Sequence, residues 1–221
     1  YPKRRELRIT KERVQGSHTD FPIAIVLTDA GLVGALAPTV GLAFTDQNNG
    51  KIAHEIALTE PARLVAWVEL PSLSDAADTV FYVYYGDPNA SGTADPSATW
   101  DNGFLAVWHL EEAVSDGQNS GKHLDSTLGG RDGTQHGNRG IDGCRVGRCQ
   151  DVGDGEWIEA AKPADFKLGD TDLTVTAWVH LGDMFAKPAG IFAKSNPGKA
   201  EDGHMILGAN SEWAQRLIHK L

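Results

Sequence analysis

Apolar residues in this chain recur at intervals of two or in short continuous runs, and almost nowhere at the three-to-four spacing of an amphipathic helix. The runs are FPIAIVLT (21–28), RLVAWVELP (63–71), TVFYVYYG (79–86), FLAVWHLE (104–111), EWIEA (156–160), LTVTAWVHL (173–181) and HMILGAN (204–210). Side chains alternate across a strand, so such runs are read as strands with one or both faces buried. Between them lie clusters of Gly, Asp, Asn and Pro, and the 25 glycines suit frequent tight turns. The only helical candidate is TDAGLVGALAP (28–38), weakened by Gly31 and Gly34. Without alternating strands and helices, the chain is expected to be all-β, as a sandwich or jelly roll.

At 221 residues and 41% hydrophobic content, the chain can bury one large core or two modest ones. The strand VFYVYYG ends in Gly86-Asp87-Pro88-Asn89, and ASGTADPSATWDNG follows with little apolar content before FLAVWHL begins. Small residues, Pro and Asp in one stretch are the composition of a domain junction. The seam is expected near Ala90 to Asn102, dividing the chain into 1–95 and 103–221.

The net charge of −10 is shared between the halves: residues 1–100 carry 8 basic against 12 acidic side chains, and residues 101–221 carry 12 against 18. Neither half offers the basic field that nucleic acid requires. One basic cluster, PKRRELRITKER, reads at period two as Arg5, Leu7 and Ile9 on one face and Arg4, Glu6, Arg8 and Thr10 on the other. A solvated strand face accounts for it, with an anionic-lipid or phosphate site as the alternative. No apolar run approaches the roughly 20 residues of a membrane helix, so no membrane contact is expected of this segment itself. The chain opens on Tyr1-Pro2-Lys3-Arg4 without Met or a signal-type stretch, which reads as a processed chain or an excised segment.

Several motifs carry a resemblance. DFPIAIVL, GLAFTDQNNGKIAHEI and AWVELPSLSDAADTVFYVYYGDPNA resemble an uncharacterised β-sandwich domain marked by Asp-hydrophobic-Arg-Phe-Thr-Asp, Trp-Val-x-hydrophobic-Pro and Tyr-Tyr-Gly-Asn-Pro. Gly41, Leu42 and Ala43 stand where that pattern has Asp-x-Arg. The second half, through AVWHLEE, LDSTLGGRDGT, GCRVGRCQDVGDGEWIEA and LTVTAWVHL, resembles the opening strands of a LamG-like, concanavalin A-type jelly roll. The family implies an N-terminal β-sandwich followed by a jelly roll whose C-terminal strands are missing, and hence a part of a longer polypeptide. Related chains include secreted multidomain proteins and members of the MotA/TolQ/ExbB proton-channel family, in which this pair precedes membrane helices. The compartment implied is periplasmic or extracellular.

Cys144 and Cys149, in GCRVGRCQD, match no common zinc spacing. Their separation suits a disulfide across a tight loop, and the oxidising compartment implied by the jelly roll favours that over two reduced thiols. In DVGDGEWIE, Asp151 and Asp154 flank a glycine turn whose oxygens could hold Ca²⁺, although the full ligand series of an EF-hand loop is lacking. No other cofactor is expected. His123, Asp125, Asp132 and His136 are read as solvated rather than zinc-bound. Trp67, Trp108 and Trp178 lie in apolar strands and are read as core. Trp157 and Trp213 stand in polar company and are the candidate ligand residues, since an aromatic face can stack on a sugar ring.

No catalytic residue is singled out. Concanavalin-type glucanases resemble Glu-x-Asp-x-x-Glu or Glu-x-Asp-x-Glu strands, and neither string occurs. Glu156 and Glu159 are three apart and face opposite ways on a strand; His109 and Glu111 share a face that alternation explains as solvated. The reading is a non-catalytic extracytoplasmic module that binds a glycan or a surface protein, or senses for an attached membrane module. The alternatives are a glycoside hydrolase whose catalytic strand lies beyond this chain, and a structural adhesin or spacer.

Overall fold

The computed structural model describes residues 1–28, 41–60, 63–87, 89–90, 93–114, 121–166, 173–180, 189–194, 204–209 and 216–220. Antiparallel strands dominate it, as the period-two pattern requires. The residues group into two compact units, Tyr1–Ala161 and Lys162–Leu221. The junction expected near Ala90 to Asn102 falls inside the first. The helical candidate at 28–38 lies, apart from Thr28, outside the described residues.

The N-terminal part of the first unit is built on two sheets. Strands β1 (Lys3–Ile9), β3 (Ala43–Thr45), β4 (Lys51–Ile52) and β7 (Thr79–Tyr85) form one, in the order β1-β7-β3-β4. The other is β2 (His18–Leu27), β6 (Arg63–Leu73) and β5 (His54–Glu60), in the order β2-β6-β5. Alternation decides what each strand buries. On β6, Leu64, Ala66, Val68 and Leu70 are at most 1% exposed and face Phe44, Phe81 and Val83 of the first sheet in one hydrophobic cluster. Val65, Trp67 and Glu69 take the other face of the same strand. Emptying a position such as Phe81 would cost about 3–5 kcal/mol, the usual penalty for removing a buried aromatic ring.

His54 sits at 1% exposure beside the ring of Phe44, 5.1 Å between centroids, and burial pulls its pKa down. It is therefore held as neutral imidazole in the core. The β3–β4 connection is closed by Asp46, whose Oδ1 accepts from the backbone of Asn48 (2.8 Å) and Gly50 (2.7 Å), with Asn49 at φ 64°. Asn tolerates that left-handed conformation because its short polar side chain bonds locally.

After β7 comes a short helix, α1 (Pro96–Thr99), capped by Asp95 Oδ1 accepting from the Ala98 amide at 3.1 Å, with Pro96 at its first position. The expected strand at 104–111 makes only one isolated bridge, Trp108 with Asp125. Leu110 has φ 58°, which no extended strand accommodates, and this breaks the run. The remainder of the unit holds the sheet β12-β9-β8, from β8 (Lys122–His123), β9 (Gly133–His136) and β12 (Trp157–Ala160), and the pair β10 (Arg139–Ile141) with β11 (Cys149–Asp151). Gly133 has to be glycine: a Cβ there would meet Ile158 Cγ2 at 2.6 Å and His123 Cβ at 3.2 Å.

In the second unit, β13 (Ala189–Lys194), β14 (His204–Ala209) and β15 (Arg216–Lys220) form an antiparallel sheet in that order, with a bulge between Gly190 and Phe192. The run at 173–180, expected to be a strand, pairs with no other strand among the described residues. Without a ladder it has no buried face, and Trp178, expected in the core, is 82% exposed.

Candidate functional site

One sheet face in the first unit carries an aromatic and polar row. Trp157 on β12 and His136 on β9 are direct cross-strand partners, so both side chains leave the same face. Their rings stack 4.4 Å apart at an interplanar angle of 11°. Trp157 is nevertheless 52% exposed. Two residues along, Glu159 returns to this face and its Oε2 lies 3.1 Å from His136 Nε2. Opposite Glu159 stands Thr134, whose hydroxyl accepts from Lys122 Nζ at 3.0 Å. A flat ring edged by an acid, a hydroxyl and an ammonium can stack on a pyranose and exchange hydrogen bonds with its hydroxyls.

The other face of this sheet is unusually polar inside. His123 is fully buried rather than solvated; its Nδ1 meets Glu112 Oε2 at 2.9 Å and its Nε2 lies 3.2 Å from Asn138 Nδ2. Asn138 donates in turn to Gln150 Oε1 at 3.0 Å, and Gln150 donates to the carbonyls of Leu110 and Glu112. Burial pushes the Glu112 carboxyl up, but His123 and the Leu124 amide outweigh it and hold the group below its ordinary value. Asp125 is likewise structural: its carboxylate accepts from the amides of Val107, Thr127 and Arg131 and from the Thr127 hydroxyl, all within 3.0 Å. Asp132 accepts from the Asp125 amide at 3.0 Å. Such a network fixes the loop geometry that presents β9 and β12.

Cys144 and Cys149 close a disulfide with Cα atoms 5.9 Å apart. The loop they tie reaches back to β6, where Arg63 donates to the Arg145 carbonyl at 3.2 Å. Asp151 is engaged by Arg139 at 2.6 Å, and Asp154 is exposed in the turn that follows. Among the described residues, no three His, Cys, Asp or Glu side chains gather as a metal cage. Trp213 lies outside the described residues.

Sequence reasoning missed a second cluster, on the outward face of β5 and β6. Glu55 Oε2 accepts from Trp100 Nε1 at 2.5 Å and meets His109 Nε2 at 2.8 Å, while its Oε1 accepts from Ser126 at 2.8 Å. Trp67, read as core, is half-buried on this face, 5.0 Å from the ring of Trp100. Trp108 is also half-buried, its Nε1 donating to the Arg131 carbonyl at 2.8 Å. His109 is therefore not a solvated residue of an alternating strand, though Glu111 is exposed. Burial and a hydrogen bond with Asp101 push the Glu69 carboxyl up to about 7. No spacing rule links Glu55 to Trp100 or Ser126, because a fold brings them together rather than a local motif.

The chain matches no protein-family model, and no curated protein and no solved structure matches it. Among the described residues, no helix is long and apolar enough to cross a membrane.

Proposed function

We propose that the chain is a non-catalytic, extracytoplasmic carbohydrate-binding module, and that Trp157 is its sugar platform. The observation that carries this reading is the stack of Trp157 on His136 at 4.4 Å with the indole still 52% exposed. His136 covers one face of the ring and fixes its plane, so little side-chain freedom is lost when a sugar docks on the remainder. Glu159, Thr134 and Lys122 supply acceptor and donor groups along the same face, which suits a glycan better than an apolar ligand.

The Cys144–Cys149 bond supports a periplasmic or extracellular setting, since such bonds persist in oxidising compartments. The resemblance to sandwich and jelly-roll pairs ahead of MotA/TolQ/ExbB-type channels supports a sensing role for an attached membrane module. Calorimetric titration with a panel of neutral oligosaccharides tests the platform. Trp157→Ala is expected to abolish binding without altering thermal unfolding, and Trp157→Phe to retain a part of it. Equal affinity of the wild type and Trp157→Ala for every glycan bound would overturn the reading.

A further inference from the structure

The outward face of the β1-β7-β3-β4 sheet carries a second constellation, made of tyrosines and cations. Register places Arg4 opposite Tyr84, Glu6 opposite Tyr82 and Arg8 opposite Val80. On the far side of β7, Tyr82 stands opposite Thr45, and Thr45 opposite Lys51. The Arg4 guanidinium lies over the ring of Tyr82, 4.6 Å from its centroid, and Nη1 donates to the Tyr84 hydroxyl at 3.5 Å. Tyr84 donates onward to Asn49 Oδ1 at 3.3 Å. Tyr1, 41% exposed, adds a ring 6.2 Å from that of Tyr84.

The charges on this face are not equivalent. Arg8 is neutralised by Glu6 at 2.9 Å and Asp78 at 3.1 Å. Arg4 and Lys51 remain as the cations available to a ligand, on strands three positions apart in the sheet. Lys51 is in register with Glu6, two residues along from Arg4, so at about 4.8 Å between neighbouring strands and about 3.4 Å per residue along them the separation is roughly 16 Å. Arg4 is held in place by the two tyrosines and spends few of its five N–H donors on them, so a planar carboxylate can be received in a two-pronged contact.

We infer that this face binds a polysaccharide bearing ring carboxylates at intervals, with Arg4 and Lys51 receiving the carboxylates and the tyrosines stacking on the uncharged rings between. The alternative polyanion, single-stranded nucleic acid, presents a phosphate at every base and requires a continuous basic track. Two cations about 16 Å apart, with Glu6 and Asp78 beside them on a chain of net charge −10, suit sparse carboxylates far better. The site is separate from the Trp157 shelf and takes a ligand of different charge, so the two can be lost independently.

Affinity measurements on the full chain at low ionic strength test it, with a hyaluronan octasaccharide as probe and cellohexaose and oligothymidylate as comparators. Hyaluronan is expected to bind and the comparators to bind at least tenfold more weakly. Arg4→Gln and Lys51→Gln are each expected to weaken binding fivefold or more, and Trp157→Ala to leave it unchanged. Both cations are exposed, so thermal unfolding should be retained in both variants, and Arg4→Lys should recover part of the loss. Failure of hyaluronan to bind, undiminished binding by Arg4→Gln, equal binding of cellohexaose, or tighter binding of oligothymidylate would each overturn the inference.

Discussion

Glu55 and His109, 54 residues apart in sequence, meet at 2.8 Å on the outward face of β5 and β6, and the indole of Trp100 closes on the same carboxylate oxygen at 2.5 Å. This contact holds the segment after α1 against the sheet that precedes it. Burial pulls His109 down and pushes Glu55 up, but each is overcome by the other's charge, so His109 lies above its ordinary value and Glu55 below.

The signs of those shifts define a pH window. The His109 contribution is complete below the unfolded-state imidazole value near 6.5 and fades as pH rises through the raised folded value. The Glu55 contribution is complete above its unfolded value near 4.5 and fades as pH falls through the lowered folded value. Stabilisation by the pair is therefore greatest between those two values. Glu55→Gln is expected to lose about 2–3 kcal/mol at pH 6, the scale of hydrogen bonds to a charged group. Denaturant unfolding from pH 4 to 9 checks this; a constant difference between wild type and variant across that range would contradict it.

Glu69 behaves in the opposite sense. A carboxyl raised to about 7 in the folded chain favours the folded state while protonated, so its contribution is present below the unfolded value of 4.5 and is lost as pH rises through about 7. Glu69→Gln should flatten the fall in stability between pH 5 and 8 and leave the variant more stable than wild type at pH 8. Calorimetric unfolding at both pH values measures it.

Asp125 accepts three backbone amides and one hydroxyl, so its removal strands several buried donors at once. Asp125→Ala is expected to cost roughly 3–5 kcal/mol, well above an ordinary surface substitution. Hydrogen exchange should locate the loss at the amides of Val107, Thr127 and Arg131. Unchanged protection there would show that the carboxylate is dispensable.

The ring closed by Cys144 and Cys149 is small, so its loss should destabilise by about 2 kcal/mol in the chain-entropy view. Paired Cys→Ser substitutions and equilibrium unfolding give the figure. Alkylation of the native protein should leave both sulfurs unmodified.

The strand content was legible because a buried sheet face imprints period two on the sequence, as β2, β6 and β7 do. The disulfide and the half-exposed Trp157 were legible because each departs from its local surroundings in one recognisable way. Legibility failed where long-range contacts override local pattern. Leu110 adopts a left-handed conformation that no propensity announces, and it turns an apolar run into a loop. His123 reads as solvated from the polar loop around it, yet Glu112 and Asn138, 11 and 15 residues away in sequence, are the partners that let it be buried. The Arg4–Tyr82 contact spans two strands at opposite ends of the N-terminal half, and charge pattern alone could not reveal it.

The pairing of β1 with β7, from Lys3 opposite Tyr85 to Ile9 opposite Thr79, bears on how the protein is made. Strand β1 has no ladder partner until β7, the last strand of its sheet, has followed it in synthesis, a delay of roughly 4–15 s at about 5–20 residues per second. During that interval a nascent chain displays an open strand to every copy translated beside it. Lys3, Arg4, Arg5 and Arg8 give that strand a positive charge that repels its counterparts on neighbouring chains. The basic side chains of β1 thus disfavour its pairing with a second copy of itself for as long as its own ladder partner is missing.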